Sequence, residues 1–323
     1  MRRSTLRARW LFAALAFACV RVATAQDDNI AFPINELEPM LWNEPLNIVS
    51  AQISRPQARG DITLRAEVAF GERPPMRVKV RHALPGAQDF NNVPRYDIAA
   101  YELQQLFVEA DEYLVPPSSL RWLGLDALRV FAPDVQRTFA GVDDVLCVVQ
   151  YWLQNVDGPE DVLDPARFAT DNLYARHIGQ LNVLTYLIGH ADSNQGNFLI
   201  STAPPAARVF SIDHGVAFTS EPSDRGDLWK SLRVDRLPAD VVLRLRAVTE
   251  EELRSRLGVL AQWQREGDHF VAAPAGENIS PNEGVRFRKD TLQMGLSRRE
   301  IAGVWGRVEQ VLELVDDGKI ATF

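Results

Sequence analysis

Between Ile188 and Phe218 the chain departs from what core packing alone requires, and this stretch limits the fold more than any other. An apolar run ends at Ile188, Gly189 stops it, and a polar loop follows through His190, Asp192 and Asn197. Two strand-like runs, Phe198 to Ser201 and Arg208 to Ile212, flank the breaker-rich Thr202-Ala203-Pro204-Pro205 and read as a hairpin. Asn197 stands at the entry of the first strand and Asp213 at the exit of the second, so pairing the strands brings the two side chains together. Two adjacent oxygen donors suit a hard divalent cation such as Mg²⁺, which takes one or two protein oxygens and fills its other positions with phosphate and water. Asp192, on the same loop, is then placed to orient an attacking hydroxyl and accept its proton.

The rest of the chain has enough apolar material to frame such a site. At 323 residues and 46% hydrophobic content it is long enough for one large or two small domains with a real core. Residues 1–25 read as a separate signal peptide. Arg2, Arg3, Arg7 and Arg9 precede an apolar run from Trp10 to Val20, and Ala23-Thr24-Ala25 supplies small residues for cleavage. The run is too short to span a bilayer comfortably. Export to the periplasm or the medium is expected, with no stable membrane insertion after cleavage; Cys19 as a lipidation site ranks second, because Ala16 and Phe17 before it fit poorly. The mature chain keeps a single cysteine, Cys147, in the apolar V-L-C-V-V, so it forms no intramolecular disulfide. The leader carries five arginines and no acid, and its removal takes the formal charge from −8 to −13. Such a surface disfavours nucleic acid and anionic headgroups.

In chain order, Gln26 to Asn47 is an arm with Phe32, Leu37, Leu41 and Trp42 as anchors. Ile48 to Ile53, Ile62 to Phe70 and Met76 to His82 read as strands, the first two linked by Arg55 to Gly60. Alternation puts Met76, Val78 and Val80 on one face of the third strand and Arg77, Lys79 and Arg81 on the other. Arg95 to Glu109 reads as a helix, Val145 to Leu153 as a buried strand, and Asp164-Pro165 as the start of a helix reaching about Ile188. After a polar segment through residues 220–227, Thr249 to Glu252 opens a helix to about Gln264, and Ser297 with Glu300 opens the last one. Gly267 to Asp290, rich in glycine, proline and charge, is expected to be a long loop. The five histidines show no zinc-like spacing.

Taken together, His190-x-Asp192-x-x-x-x-Asn197, the strand pair and Asp213-His214-Gly215 resemble the catalytic loop and the metal motif of the protein kinase-like superfamily. Tyr101-Glu102 in I-A-A-Y-E-L-Q-Q-L-F, with Val115 to Pro117, looks like its bacterial branch resembling phosphatidylinositol kinases. The resemblance covers roughly residues 48–265. It implies an α+β, two-lobed kinase-like fold, with the arm and a small β-rich N-lobe over 26–155 and a mostly helical C-lobe over 156–323. It further implies ATP as donor, Mg²⁺ held by Asn197 and Asp213, and Asp192 as the catalytic base. Lys79 then binds the nucleotide phosphates, paired with Glu102 on the helix. Tyr151 to Val156 becomes the hinge beside the adenine, and His190 props the loop. Two positions depart from the family's pattern. Asn194 stands where a lysine or histidine is usual, and Arg77 where a small residue lets adenine lie flat.

Two function classes remain open on these residues. One is an exported phosphotransferase acting on a hydroxyl acceptor, a protein or small molecule, with AMP transfer or lipid phosphorylation as variants. The other is a kinase-like pseudoenzyme that keeps the fold as a binding or scaffolding module.

Overall fold

The computed structural model describes residues 28–54, 62–89, 92–218 and 228–323. The expected leader with Cys19, the Arg55 to Gly60 link and the polar segment 220–227 lie outside the described residues. The fold is α+β, with eight α-helices and mainly antiparallel strands among the described residues. None of these helices is long and apolar enough to cross a membrane.

The arm leads into α1 (Ile34–Asn43) and packs on the first sheet through Leu37, Met40 and Leu41, as its apolar anchors imply. Arg121 caps the end of this helix: Nη1 donates to Leu41 O at 3.1 Å and Nη2 to Glu44 O at 2.9 Å, placing a cation at the negative end of the helix dipole. The sheet follows from β1 (Leu46–Ile53), β2 (Thr63–Phe70), β3 (Met76–His82), then α2 (Pro94–Gln104), β4 (Ser118–Gly124), the short α3 (Leu125–Arg129) and β5 (Asp144–Tyr151). The strand order is β1-β2-β3-β5-β4, antiparallel throughout. As the alternation in β3 requires, Met76, Val78 and Val80 face the α1 side of the sheet.

Strand β4 and helix α3 were not foreseen, and α2 ends five residues early. Every residue of α2 except Glu102 is buried, so the amphipathic stripe read from the sequence understates its burial. The helix stops where Gln104 turns inward. Its Nε2 donates to Val115 O at 3.0 Å, and its Oε1 accepts from Leu114 N and Val115 N at 2.7 and 2.8 Å.

Beyond the sheet, β6 (Val156–Asp157) precedes α4 (Pro165–Thr170) and α5 (Asn172–Ile188). The single helix expected from Asp164 is therefore two. Asp171 adopts extended geometry and accepts from Tyr174 N at 3.1 Å, repeating the capping that Asp164 performs for α4. Helix α5 ends at Gly189, whose φ of +57° provides the left-handed stop. The hairpin strands are β7 (Phe198–Ser201) and β8 (Val209–Ser211), with β6 alongside β7. Then come β9 (Arg236–Leu237), α6 (Ala239–Ala247) and α7 (Glu250–Leu257).

The segment after α7 corrects the sequence reading twice. The helix stops at Leu257 instead of continuing to Gln264, and Gly267 to Asp290 is no long loop. It supplies two strands of a four-stranded antiparallel sheet from β10 (Ala261–Glu266), β11 (His269–Ala272), β12 (Val285–Arg288) and β13 (Thr291–Met294), with 273–284 as the irregular connection between β11 and β12. Glu266 pairs with His269, so Gly267-Asp268 is a two-residue hairpin turn. The fully buried Arg286 joins this sheet to the end of α7, donating to Gly258 O at 2.5 Å and Leu296 O at 2.8 Å. The chain closes with α8 (Arg298–Asp316), opened by the expected Ser297–Glu300 capping box, and β14 (Ala321–Thr322).

Among the described residues the packing forms three clusters. Helices α5 to α8 bury Leu184, Leu245, Leu253, Val304 and their neighbours, together with one side of α2. The first sheet closes on α1. The second sheet closes on the first through Trp263, Phe270 and Leu292 against Leu146, Val148 and Trp122. Trp263 lies edge-on to Trp122, with ring centroids 5.7 Å apart. Trp263→Ala should cost about 3–5 kcal/mol, as truncation of a large buried aromatic typically does, and a shift of the urea midpoint checks this. A change below about 1 kcal/mol would mean that this contact holds little.

Candidate functional site

The site begins as a consequence of strand alternation. Because Val78 and Val80 point to the α1 side, Arg77, Lys79 and Arg81 share the opposite face of β3. Register extends that face into a polar row across the sheet: Gln52 opposite Arg65, Arg65 opposite Lys79, Lys79 opposite Gln150, and Gln150 opposite Ser118. Gln150 is buried and donates to Ser118 Oγ at 2.9 Å.

Two carboxylates meet these cations. Lys79 Nζ donates to Asp213 Oδ1, and Arg81 Nη1 lies 3.6 Å from the same oxygen. Arg81 also donates through Nη2 to Asp97 Oδ2, inside the protein. Asp97 in turn accepts from the backbone N–H of His214 at 3.1 Å. One helix, one strand and the turn after the hairpin are thus joined by a single chain of charge. Asp213 has φ of +60°, a left-handed conformation that aspartate tolerates better than most residues.

The expected Lys79–Glu102 pair is absent. Glu102 instead faces α7, where Arg256 Nη1 donates to its Oε2 at 3.3 Å. The reason is angular: five residues along an α-helix is a rotation of about 140° from Asp97, so the two acids cannot both face the sheet. Asp97 is the acid that faces it. Burial pushes the Glu102 carboxyl up, partly offset by Arg256.

The loop residues come together as the hairpin requires. Phe198 pairs with Ser211, and Ile212 N donates to Asn197 O at 3.0 Å, which sets Asn197 beside the segment leading into Asp213. Asn197 Nδ2 donates to Asp192 O at 2.7 Å, which leaves its amide oxygen as the donor atom suited to a cation. The side chain of Asp213 keeps 38% of its surface open. An amide oxygen and a carboxylate are the kinds of donor that Mg²⁺ takes from a protein.

Asn194, at the position of departure, donates to Asp192 Oδ1 at 2.6 Å, and its own Oδ1 accepts from Gly196 N at 2.9 Å. Its amide therefore orients Asp192. Asn194 brings no positive charge, and of the arginines that could supply one from the first sheet, Arg77 is largely exposed and lies 3.9 Å from Glu67, while Arg55 and Arg59 fall outside the described residues.

His190 and His214 form the floor of the loop. Both are fully buried, with ring centroids 5.2 Å apart, and His190 lies edge-on to Phe198 at 5.7 Å. Ser211 Oγ and His214 Nε2 are 2.9 Å apart. His214, given no separate role by sequence, thus fixes the turn that carries Asp213, its N–H held by Asp97 and its ring by Ser211. Burial pushes the Asp213 carboxyl up, but the charges of Lys79 and Arg81 outweigh it and hold the group well below the ordinary carboxylate range. Burial lowers both imidazoles from 6.5 to about 3.

The sequence reading missed Arg81 and Asp97. The signal for Arg81 was present, since it lies two residues from Lys79 and so on the same face of β3. Asp97, in the first turn of a helix, was indistinguishable from an ordinary helix-start acid. No protein-family model matches the chain, and a search of curated proteins finds no match.

Neutral buried histidines make stability depend on pH. The unfolded chain protonates them near 6.5 and the folded one only near 3, so unfolding takes up protons between these values. Their contribution is fully present above 6.5 and is lost as pH falls towards 3, at up to about 1.4 kcal/mol per pH unit for each group. Thermal melts from pH 7.5 to 4.5 should show this loss, and His190→Phe should reduce its slope by one group's share. A slope unchanged in the variant would contradict the neutral assignment.

Proposed function

We propose that this chain is a kinase-like phosphotransferase that uses ATP and a divalent metal to modify a hydroxyl acceptor. The observation that carries the reading is the convergence of Lys79 from the sheet and Asp213 from the hairpin exit, with Asn197 and Asp192 on the adjoining loop. The architecture is compatible with a two-lobed reading: a five-stranded sheet with α2 between its third and fourth strands in chain order, followed by a part that carries α4 to α8 and, in place of an all-helical lobe, the second sheet. The arginine-rich leader supports an exported location.

In this reading the cationic face of β3 receives the nucleotide phosphates. Arg81 and Asp97 form the strand–helix pair that the resemblance had assigned to Lys79 and Glu102, while Lys79 shares its charge between Asp213 and the incoming phosphates. Asn197 and Asp213 would hold the metal, which supplies charge neutralisation for the transferring phosphoryl group. Asp192, oriented by Asn194, accepts the proton of the acceptor hydroxyl as its oxygen bonds to the γ-phosphorus and the bond to the ADP leaving oxygen breaks. The acceptor hydroxyl must enter beside Asp192, close to the hairpin.

A second reading, a kinase-like pseudoenzyme serving as a binding module, is favoured by the uncharged Asn194 and by its engagement with Asp192. Turnover separates the two. Asp192→Ala should abolish phosphoryl transfer while keeping nucleotide affinity within about threefold. In parallel, ATP with Mg²⁺ at about 100 times its dissociation constant should stabilise the chain by about 2.7 kcal/mol, and Lys79→Ala and Asp213→Ala should remove that shift. Equal turnover by Asp192→Ala would overturn its role. A nucleotide shift without transfer to any acceptor would support the pseudoenzyme.

A further inference from the structure

The chain after β5 carries an arrangement that bears on how a donor would be recognised. Three backbone N–H groups of this connection are committed: Tyr151 N donates to Pro117 O at 2.9 Å, Trp152 N to Arg77 O at 3.1 Å, and Gln154 N to Asn29 O at 3.0 Å. Two of its carbonyls are taken as well. Asn29, in the arm before α1, donates through Nδ2 to Gln154 O at 2.9 Å and Asn155 O at 3.1 Å. Asn29 is 3% exposed, and flanking bonds fix it: Ala31 N and Gln154 Nε2 each donate to Tyr151 Oη at 3.1 Å. The groups expected to meet an adenine edge are therefore occupied by the protein's own arm at Gln154 and Asn155.

What this connection offers instead is an aromatic surface. Trp152 continues the face of β5 that carries Gln150, and Arg65 Cζ sits 5.2 Å from the centre of its ring. Arg65 is also the register partner of Lys79. An indole thus lies at one end of a face that carries Arg65, Arg77, Lys79 and Arg81. A phosphate chain with an attached flat ring fits that order of groups, with anion against the cations and ring against the indole. Aromatic stacking tolerates any base, because every base has a π-face.

We infer that Trp152 is the base platform of the site, and that the site takes nucleoside triphosphates as a class without reading the edge of the base. This rests on the phosphotransferase reading above, and specifies its donor. Asn29 then has a defined role, since it occupies the carbonyls of Gln154 and Asn155 and the N–H of Gln154, which an adenine edge would otherwise meet.

The test is calorimetric binding to the full chain with Mg²⁺, using ATP, GTP and inorganic tripolyphosphate as probes. ATP and GTP should bind within about threefold of each other; Trp152→Ala should weaken both by about tenfold and leave tripolyphosphate within about twofold, and Trp152→Phe should restore them. Preference for ATP over GTP by more than about tenfold would overturn the inference and leave the phosphotransferase reading standing. An equal loss of tripolyphosphate affinity in Trp152→Ala would also overturn it, because the tryptophan would then be structural. No binding by any of the three probes would overturn both readings.

Discussion

The structure depends on the pairing of cations on the inner face of β3 with two carboxylates from distant parts of the chain. A buried charge without a partner costs several kcal/mol, so Lys79 and Arg81 can occupy that face only when Asp213 and Asp97 reach them. Asp97 arrives on α2, and Asp213 on the turn after β8. The sheet, the helix and the hairpin therefore cannot be placed independently. The His214 N–H that donates to Asp97 closes the circuit.

Helix α2 is held accordingly, by polar contacts at both ends. At its start, Arg95 makes two bonds to Glu300, at 2.8 and 2.9 Å, and Tyr96 donates to the same carboxylate. Glu300 also completes the capping box of α8, accepting from Ser297 N at 2.7 Å. Further along, Tyr101 donates to Glu38 on α1, and Glu102 accepts from Arg256 on α7. A helix so tied presents Asp97 in one orientation. Glu102, the acid that sequence favoured, belongs to this mooring and not to the site.

Much of the arrangement was legible. The stop at Gly189, the hairpin after it, and the proximity of Asn197 to the approach to Asp213 follow from local turn chemistry and strand pairing, which sequence encodes directly. Alternation in β3 likewise assigned Lys79 to the face opposite the core. The second sheet was not legible, although Gly267-Asp268 is a two-residue turn signal. Its strands are short and polar in part, and their apolar positions, Trp263, Phe270 and Leu292, make sense only against Leu146, Val148 and Trp122. A strand whose burial is supplied by a distant sheet reads as a loop.

The sequence by itself determined which residues share a face, where helices start and stop, and which polar residues a hairpin brings close, because these depend on dihedral preferences and on periods of 3.6 and 2 residues. Only the tertiary structure decided which acid meets which cation. Helix rotation about its axis is set by packing on every side, and α2 is buried almost all round, so no polar stripe marks the side that faces the sheet. The same holds for Asn29, whose partners at Gln154 and Asn155 lie more than a hundred residues away and are reached only because α1 packs on the first sheet.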